Sequence, residues 1–279
     1  MGNYLRFLNY SFYMILMSFS FSDDFIDKKV EFLLNQMTID EKIGQMTQID
    51  RRFLRSDDDI IKFGIGSILS GGGSVPEDNS IKGWADMYDH FQELSQQTRL
   101  MIPLIYGIDA VHGHNNVKGA TIFPHNIGLG CTFDSEIVYK VADITAREVS
   151  ATGIDWNFAP CLAIPQDERW GRYYEGFSED ANLVAELGLS TINGYQNVLG
   201  RDHSIAACAK HFIGDGATLW DTGDNNYKID RGNAIISENE LYDKYLIPYK
   251  KAIDNGVLTV MASFNSYNGR TNTTIVRFK

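Results

Sequence analysis

The sequence predicts an α/β protein whose parallel strands close as a (β/α)8, TIM-like barrel, and three observations carry that expectation. Short apolar runs alternate with longer amphipathic segments along the chain. The short runs are continuously apolar rather than alternating, as in parallel strands covered on both faces. Nearly every later run ends in a loop rich in Gly, Asp or Arg. A barrel gathers the ends of successive strands at one mouth, whereas an open doubly wound sheet concentrates them at one switch point.

Helical patterns with good start residues and apolar side chains at three-to-four spacing span 24–37, 79–100, 134–151, 178–197 and 237–255. The predicted strands are 43–47, 66–69, 104–108, 154–158, 205–209 and 258–263, so about six of eight βα units are expected. No low-complexity linker or run of like charge divides residues 23–279, which read as one continuous barrel domain.

Composition narrows the classes of function. The 279 residues are 44% hydrophobic and 22% charged, the balance of a soluble globular chain with a sizeable core. A net charge of −11 leaves no basic surface for phosphates, which excludes nucleic acid as the expected partner. Residues 1–22 contain one charged side chain, Arg6, then a greasy stretch from Phe7 to Phe21 and an acidic start at Asp23 and Asp24. This reads as a secretory signal peptide, with Ser18 and Ser20 offering small residues for cleavage. The expected destination is extracellular or lysosomal, with no membrane attachment after cleavage. A myristoylation reading of Met1-Gly2 fails because position 6 is Arg. Cys131, Cys161 and Cys208 are odd in number and widely spaced, which fits neither a disulfide framework nor a metal site and marks them as small core residues. Gly71-Gly72-Gly73-Ser74 lacks the Lys and the helix start of a phosphate loop. No cofactor or metal is expected.

Chemistry concentrates at the ends of the predicted strands. Asp109 follows the apolar Leu104-Ile105-Tyr106, where a carboxylate can accept two hydroxyl hydrogen bonds or cap the next segment. His112 and His114 form only a weak metal signal. The stretch from Asp167 to Glu175 mixes both charge signs with Trp170, Tyr173 and Tyr174. That is the combination a carbohydrate subsite needs, with charges for hydroxyls and flat rings for the apolar sugar face. Lys210 and His211 close the apolar run 205–209 and break into Gly214-Asp215-Gly216, so they must meet a ligand or a partner carboxylate. Successive strand residues point to opposite faces, so an irregularity is expected near His211 if both side chains serve one site.

These segments together resemble glycoside hydrolase family 3, the β-glucosidase and β-glucan exohydrolase group. The resemblance rests on GIDAVHG (107–113), IDWNFAP (154–160), RWGR (169–172), SEDANLVAELG (178–188), KHFIGDG (210–216) and VMASFNSYNG (260–269). It implies a barrel-type N-terminal domain with a sugar pocket at its mouth. It also implies that Asp109, Arg172, Lys210 and His211 hold the hydroxyls of a nonreducing-end glucose, with Met261 and Phe264 as further pocket residues. Phe264 stands where a Tyr is more usual. The β-N-acetylhexosaminidase branch of that family resembles KHFPGHG, and KHFIGDG carries no such histidine, which favours the β-glucosidase branch. The implied partners are β-linked glucosides or glucan oligosaccharides.

Retaining hydrolysis needs a carboxylate nucleophile and an acid about 5 Å apart. The resemblance implies a nucleophilic Asp in a Ser-Asp-Trp-like motif after the seventh strand and a Glu acid/base in a second domain, and neither is expected before Lys279. The expectation is therefore a fragment of a longer exo-acting retaining β-glucosidase, inactive and poorly folding alone because an unclosed barrel exposes its edges. A noncatalytic sugar-binding or regulatory product is the alternative.

Overall fold

A computed structural model describes residues 25–197, 203–224 and 226–271. The predicted signal peptide, 1–22, lies outside them. The chain opens with helix α1 (25–36) and helix α2 (Ile39–Gln45). At the start of α2, Thr38 accepts from the Glu41 amide while Glu41 reaches back to the Thr38 amide, a reciprocal capping box. This cap draws the apolar run 43–47 into the helix and its C-terminal turn, so the first strand is not there as expected. It follows as β1 (Gln48–Asp50). A helix absent from the sequence reading, α3 (Asp58–Phe63), comes next and stops at Gly64 in the left-handed region.

The remaining elements follow the predicted rhythm. They are β2 (Ser67–Ser70), α4 (Ile81–Ser95), β3 (Ile105–Ile108), α5 (Asn126–Gly130), α6 (Ser135–Ser150), β4 (Trp156–Asn157), α7 (Ala181–Tyr195) and β5 (Cys208–Phe212). Helices α4, α6 and α7 start where their caps lie: the side chains of Ser80, Asp134 and Asp180 each accept a first-turn amide. Then come β6 (Asn233–Ala234), α8 (Glu238–Glu240), α9 (Ile247–Asp254), β7 (Thr259–Ala262), β8 (Ser266–Tyr267) and β9 (Arg270–Thr271). The single helix expected over 237–255 is broken by a π-helical turn, Leu241–Tyr245, just before Pro248. Proline has no N–H to donate into the preceding turn, so the ladder re-forms around it.

Strands β1, β2, β3 and β4 pair in parallel and in that order, and β5 pairs in parallel with β7. Parallel bridges Trp156↔Ala206 and Cys161↔Lys210 join the two groups, giving six parallel strands in barrel order. Among the described residues no pairing joins β1 to β7, so the array is an open arc. The core lies between this arc and the helices. Trp84 of α4, Tyr106 of β3, and Ile154, Leu187 and Ile192 are almost wholly buried. Each such side chain contributes roughly 1.5–3 kcal/mol relative to exposure. Two polar groups in that core find partners: Trp84 Nε1 donates to Asn79 Oδ1 at 2.7 Å, and the Tyr106 and Ser70 hydroxyls meet at 2.8 Å. Cys161 and Cys208 are buried as expected, but Cys131 is exposed, because it caps the short helix α5 on the surface. No helix among the described residues is long and apolar enough to cross a membrane.

Candidate active site

Strand β5 carries the site's cation into the interior. Lys210 is 3% exposed and His211 is 8% exposed, and both sit within β5 rather than beyond its end as the sequence suggested. The strand is displaced because the parallel bridge to Cys161 and the pairing with β7 continue its ladder through the polar residues. A buried ammonium needs a counter-charge. Asp109, the first residue after β3, supplies it, with Oδ1 3.0 Å from Lys210 Nζ.

The irregularity expected at His211 is present. Lys210 stands opposite Met261 and Phe212 opposite Ala262, so the register against β7 shifts between them, and the Lys210–His211 and Phe212–Ile213 peptide bonds are cis. Lys210 and His211 both line one cavity of about 420 Å3.

Arg172 reaches the same cavity from the loop after β4. It precedes a 3-10 turn, Tyr173–Glu175, that brings Glu175 back beneath it, and Arg172 Nε and Nη2 donate to the two Glu175 oxygens at 2.7 and 2.8 Å. Burial alone depresses the guanidinium's pKa, but the Glu175 fork outweighs it and holds Arg172 above its ordinary value. Burial likewise pushes the Glu175 carboxyl up, and the Arg172 fork, helped by Lys210 and His211, brings it below the usual carboxylate value. Arg172 Nη2 also lies 3.0 Å from His211 Nε2, and His211 Nδ1 lies 2.8 Å from Asp215 Oδ2. A continuous polar chain, Glu175–Arg172–His211–Asp215, therefore runs along one wall.

The six residues singled out from the sequence, Asp109, Arg172, Lys210, His211, Met261 and Phe264, all line this cavity. Phe264 is 70% exposed at its rim, with the Arg231 guanidinium 5.2 Å from its ring centre. Of the asparagines after β7, Asn265 lines the cavity and Asn268 instead donates to the Ile236 carbonyl. Of the rings expected to serve a sugar, Trp170 lines the cavity and Tyr173 and Tyr174 do not; the sequence reading missed the apolar Leu69 and Phe158 and the polar Gln48, Asp230 and Arg231. Phe158 lay inside the IDWNFAP motif, so its position beside the candidates was a usable signal. Asp230 and Arg231 sit in a loop whose charges look like any solvated turn. His112 and His114 are not in the cavity: His112 Nδ1 meets the Phe123 carbonyl at 2.8 Å, and buried His114 meets Thr152 Oγ1 at 3.0 Å. Burial pushes the Cys161 thiol up to about 12, so it is not a thiolate at neutral pH.

A larger hollow of about 940 Å3 lies between α2, α3 and β1. Its Glu41 and Arg99 are already paired at 2.6 Å, and no buried ionisable group points into it. The smaller cavity has charged groups that converge from several strands and aromatic rings in its lining, as ligand sites do. Among the described residues no group of His, Cys, Asp or Glu could hold a metal ion.

Six parallel strands in barrel order, with charged side chains from the end of β3, from β5 and from the loop after β4 meeting in one cavity, are the architecture of a TIM-barrel-type domain. The chain belongs to glycosyl hydrolase family 3: the family's N-terminal domain matches residues 38–276. It is 36% identical over 275 residues to the lysosomal beta glucosidase of Dictyostelium discoideum, covering 88% of this chain and 32% of that protein. It is 32% identical to the periplasmic beta-glucosidase of Salmonella typhimurium, covering 87% of this chain and 30% of the relative. Among solved structures, an exo-1,3/1,4-beta-glucanase from a Pseudoalteromonas species superposes with a TM-score of 0.81 at 40% identity, over 88% of this chain and 31% of that one. A mutant beta-glucosidase from Listeria innocua in complex with laminaribiose gives 0.71 at 31% identity, over 88% and 34%. The chain thus spans about a third of the length of the curated relatives it matches.

Proposed function

We propose that this chain forms the glucose-binding part of an exo-acting, retaining β-glucosidase that releases glucose from the nonreducing end of β-glucosides or β-glucan oligosaccharides. The observation that carries this reading is the convergence of Asp109, Arg172, Lys210 and His211 on one cavity that Phe158 and Trp170 also line. Asp109 accepts hydroxyl protons, Lys210 and Arg172 donate to hydroxyl oxygens, and the rings take the apolar face of a pyranose. The names of the family relatives, beta-glucosidases and a beta-glucanase, support the same substrate class.

The nucleophile and the acid/base are not assigned to the described residues. Asp109 is bound by Lys210, Asp215 by His211 and the Gly216 amide, and Glu175 by both arms of Arg172. Each of these three carboxylates is already held by donors of this chain. The same engagement favours, as a second reading for this chain alone, noncatalytic sugar binding. The segment 1–22 supports routing through the secretory pathway to an extracellular or lysosomal destination, and lysosomal and periplasmic relatives are in keeping with it.

Titration calorimetry of the 279-residue chain with glucose and with gluconolactone tests the binding claim. The expected result is saturable binding that weakens about tenfold or more in Arg172→Lys, which keeps charge but loses the planar fork. No binding of either ligand refutes the reading. An aryl β-glucoside should not be turned over, and turnover abolished by Asp215→Ala, Glu175→Ala or Asp230→Ala would show that the nucleophile lies within this chain.

A further inference from the structure

Asp109 stands one residue beyond β3, where the pairing that positions its neighbours runs out. Register with β4 ends at Ile108, whose carbonyl accepts from the Phe158 amide at 2.8 Å. A side chain then takes over from the ladder. Asn157 of β4, wholly buried, accepts from the Ala110 amide at Oδ1 (2.9 Å) and donates from Nδ2 to the Ala110 carbonyl (2.8 Å). One planar amide thus supplies both the acceptor and the donor that a further strand residue would have offered. The Ala110 amide belongs to the same peptide group as the Asp109 carbonyl. That carbonyl accepts from Asn115 Nδ2 at 3.1 Å, and the same nitrogen donates to the Gly113 carbonyl at 3.0 Å. Both ends of the peptide that follows Asp109 are therefore held by asparagines. Neither asparagine lines the cavity, whereas Asp109 does.

We propose that Asn157 is a positioning residue: by fixing the Asp109–Ala110 peptide it aims the Asp109 carboxylate at Lys210 and at a ligand hydroxyl. The second half of this rests on reading the cavity as a sugar site, and the first half does not. The Asp109 side chain is 39% exposed, so packing around it sets its direction only loosely and the backbone must do the rest. Lys210 takes Oδ1 at 3.0 Å, which leaves Oδ2 to accept from the ligand. A peptide free to turn after β3 would swing both oxygens away from their partners. Asparagine is the residue that fits this task. Aspartate has no donor for the Ala110 carbonyl, and an aliphatic side chain leaves both backbone groups of Ala110 buried and unpaired.

The test combines binding and hydrogen exchange on the full chain. Titration calorimetry with gluconolactone, run well below each variant's melting temperature so that only folded protein is read, should show Asn157→Ala binding about tenfold more weakly than wild type. In an Asp109→Ala background the same substitution should cost less than about twofold, because no carboxylate is left to aim. In an Arg172→Lys background it should cost the full tenfold. Asn157→Asp, which keeps the shape, gives a second reading: protonation restores its donor, so its affinity relative to wild type should recover as the pH is lowered, a rescue that lost packing would not give. Without ligand, the Ala110 amide should exchange about tenfold faster in Asn157→Ala, while the Phe158 amide keeps its rate. Affinity of Asn157→Ala within twofold of wild type, or an equal loss with and without Asp109, overturns the aim at the ligand. An Ala110 amide that exchanges at the wild-type rate overturns the hold on the peptide. Failure of the wild type to bind gluconolactone removes the sugar reading and the role toward a hydroxyl with it, while the exchange rates still decide whether Asn157 holds the Asp109 peptide.

Discussion

Replacing Asp109 with Asn keeps the shape of the side chain and a carbonyl for Lys210, but removes the counter-charge of an ammonium that is only 4% exposed. At 3.0 Å and an effective dielectric near 20 the gross attraction is about 5 kcal/mol, most of which offsets the desolvation of the ammonium. Breaking a fully buried pair costs about 3–5 kcal/mol, and an exposed pair about 0–1. The Asp109 side chain is 39% exposed, so the net loss falls between, at about 2 kcal/mol. For a chain of this size that lowers Tm by about 4–8 °C. Thermal unfolding followed by circular dichroism measures it. The double variant Asp109→Asn/Lys210→Met should recover at least half of the loss, because the stranded charge is gone. A Tm within 1 °C of wild type in the single variant, or strict additivity in the double, refutes the view that Asp109 neutralises a buried Lys210.

Two further outcomes follow from neighbouring contacts. Glu175 has its folded pKa below its ordinary value of 4.5, so its ion pair contributes stability that is present above that value and lost as pH falls through the lowered one. Urea unfolding of Glu175→Gln should therefore show a deficit of about 1–2 kcal/mol near pH 6 that narrows toward pH 3, with Arg172's partial exposure keeping it below the cost for a fully buried pair; a deficit independent of pH contradicts this. Gly216→Ala would place a Cβ 2.3 Å from the Ile164 carbonyl oxygen, a backbone atom that cannot swing away, and should cost about 1–3 kcal/mol in the same assay.

Much of the architecture was legible in local patterns. The helices over 79–100, 134–151 and 178–197 appear as α4, α6 and α7, trimmed at their ends, because Ser80, Asp134 and Asp180 are caps readable from neighbouring residues. The strand 104–108 appears as β3 with Asp109 immediately after it. The first strand was misplaced because a five-residue apolar run suits a strand or a helix equally, and the Thr38–Glu41 cap decided for the helix. The π-turn at Leu241–Tyr245 was missed because the apolar spacing continues across it.

The chemistry-bearing residues could be named from their types and their places at strand ends. Their partners could not. Asp109 and Lys210 are 101 positions apart, and Arg172 and His211 are 39 apart, so no local rule joins them. Only the curl of the parallel strands brings these side chains to one wall, where low water access makes each unpaired charge costly and so selects its counterpart. His211 shows the division most clearly. Its sequence marks it as a polar group that must meet something, whereas the fold decides that it meets Arg172 on one side and Asp215 on the other.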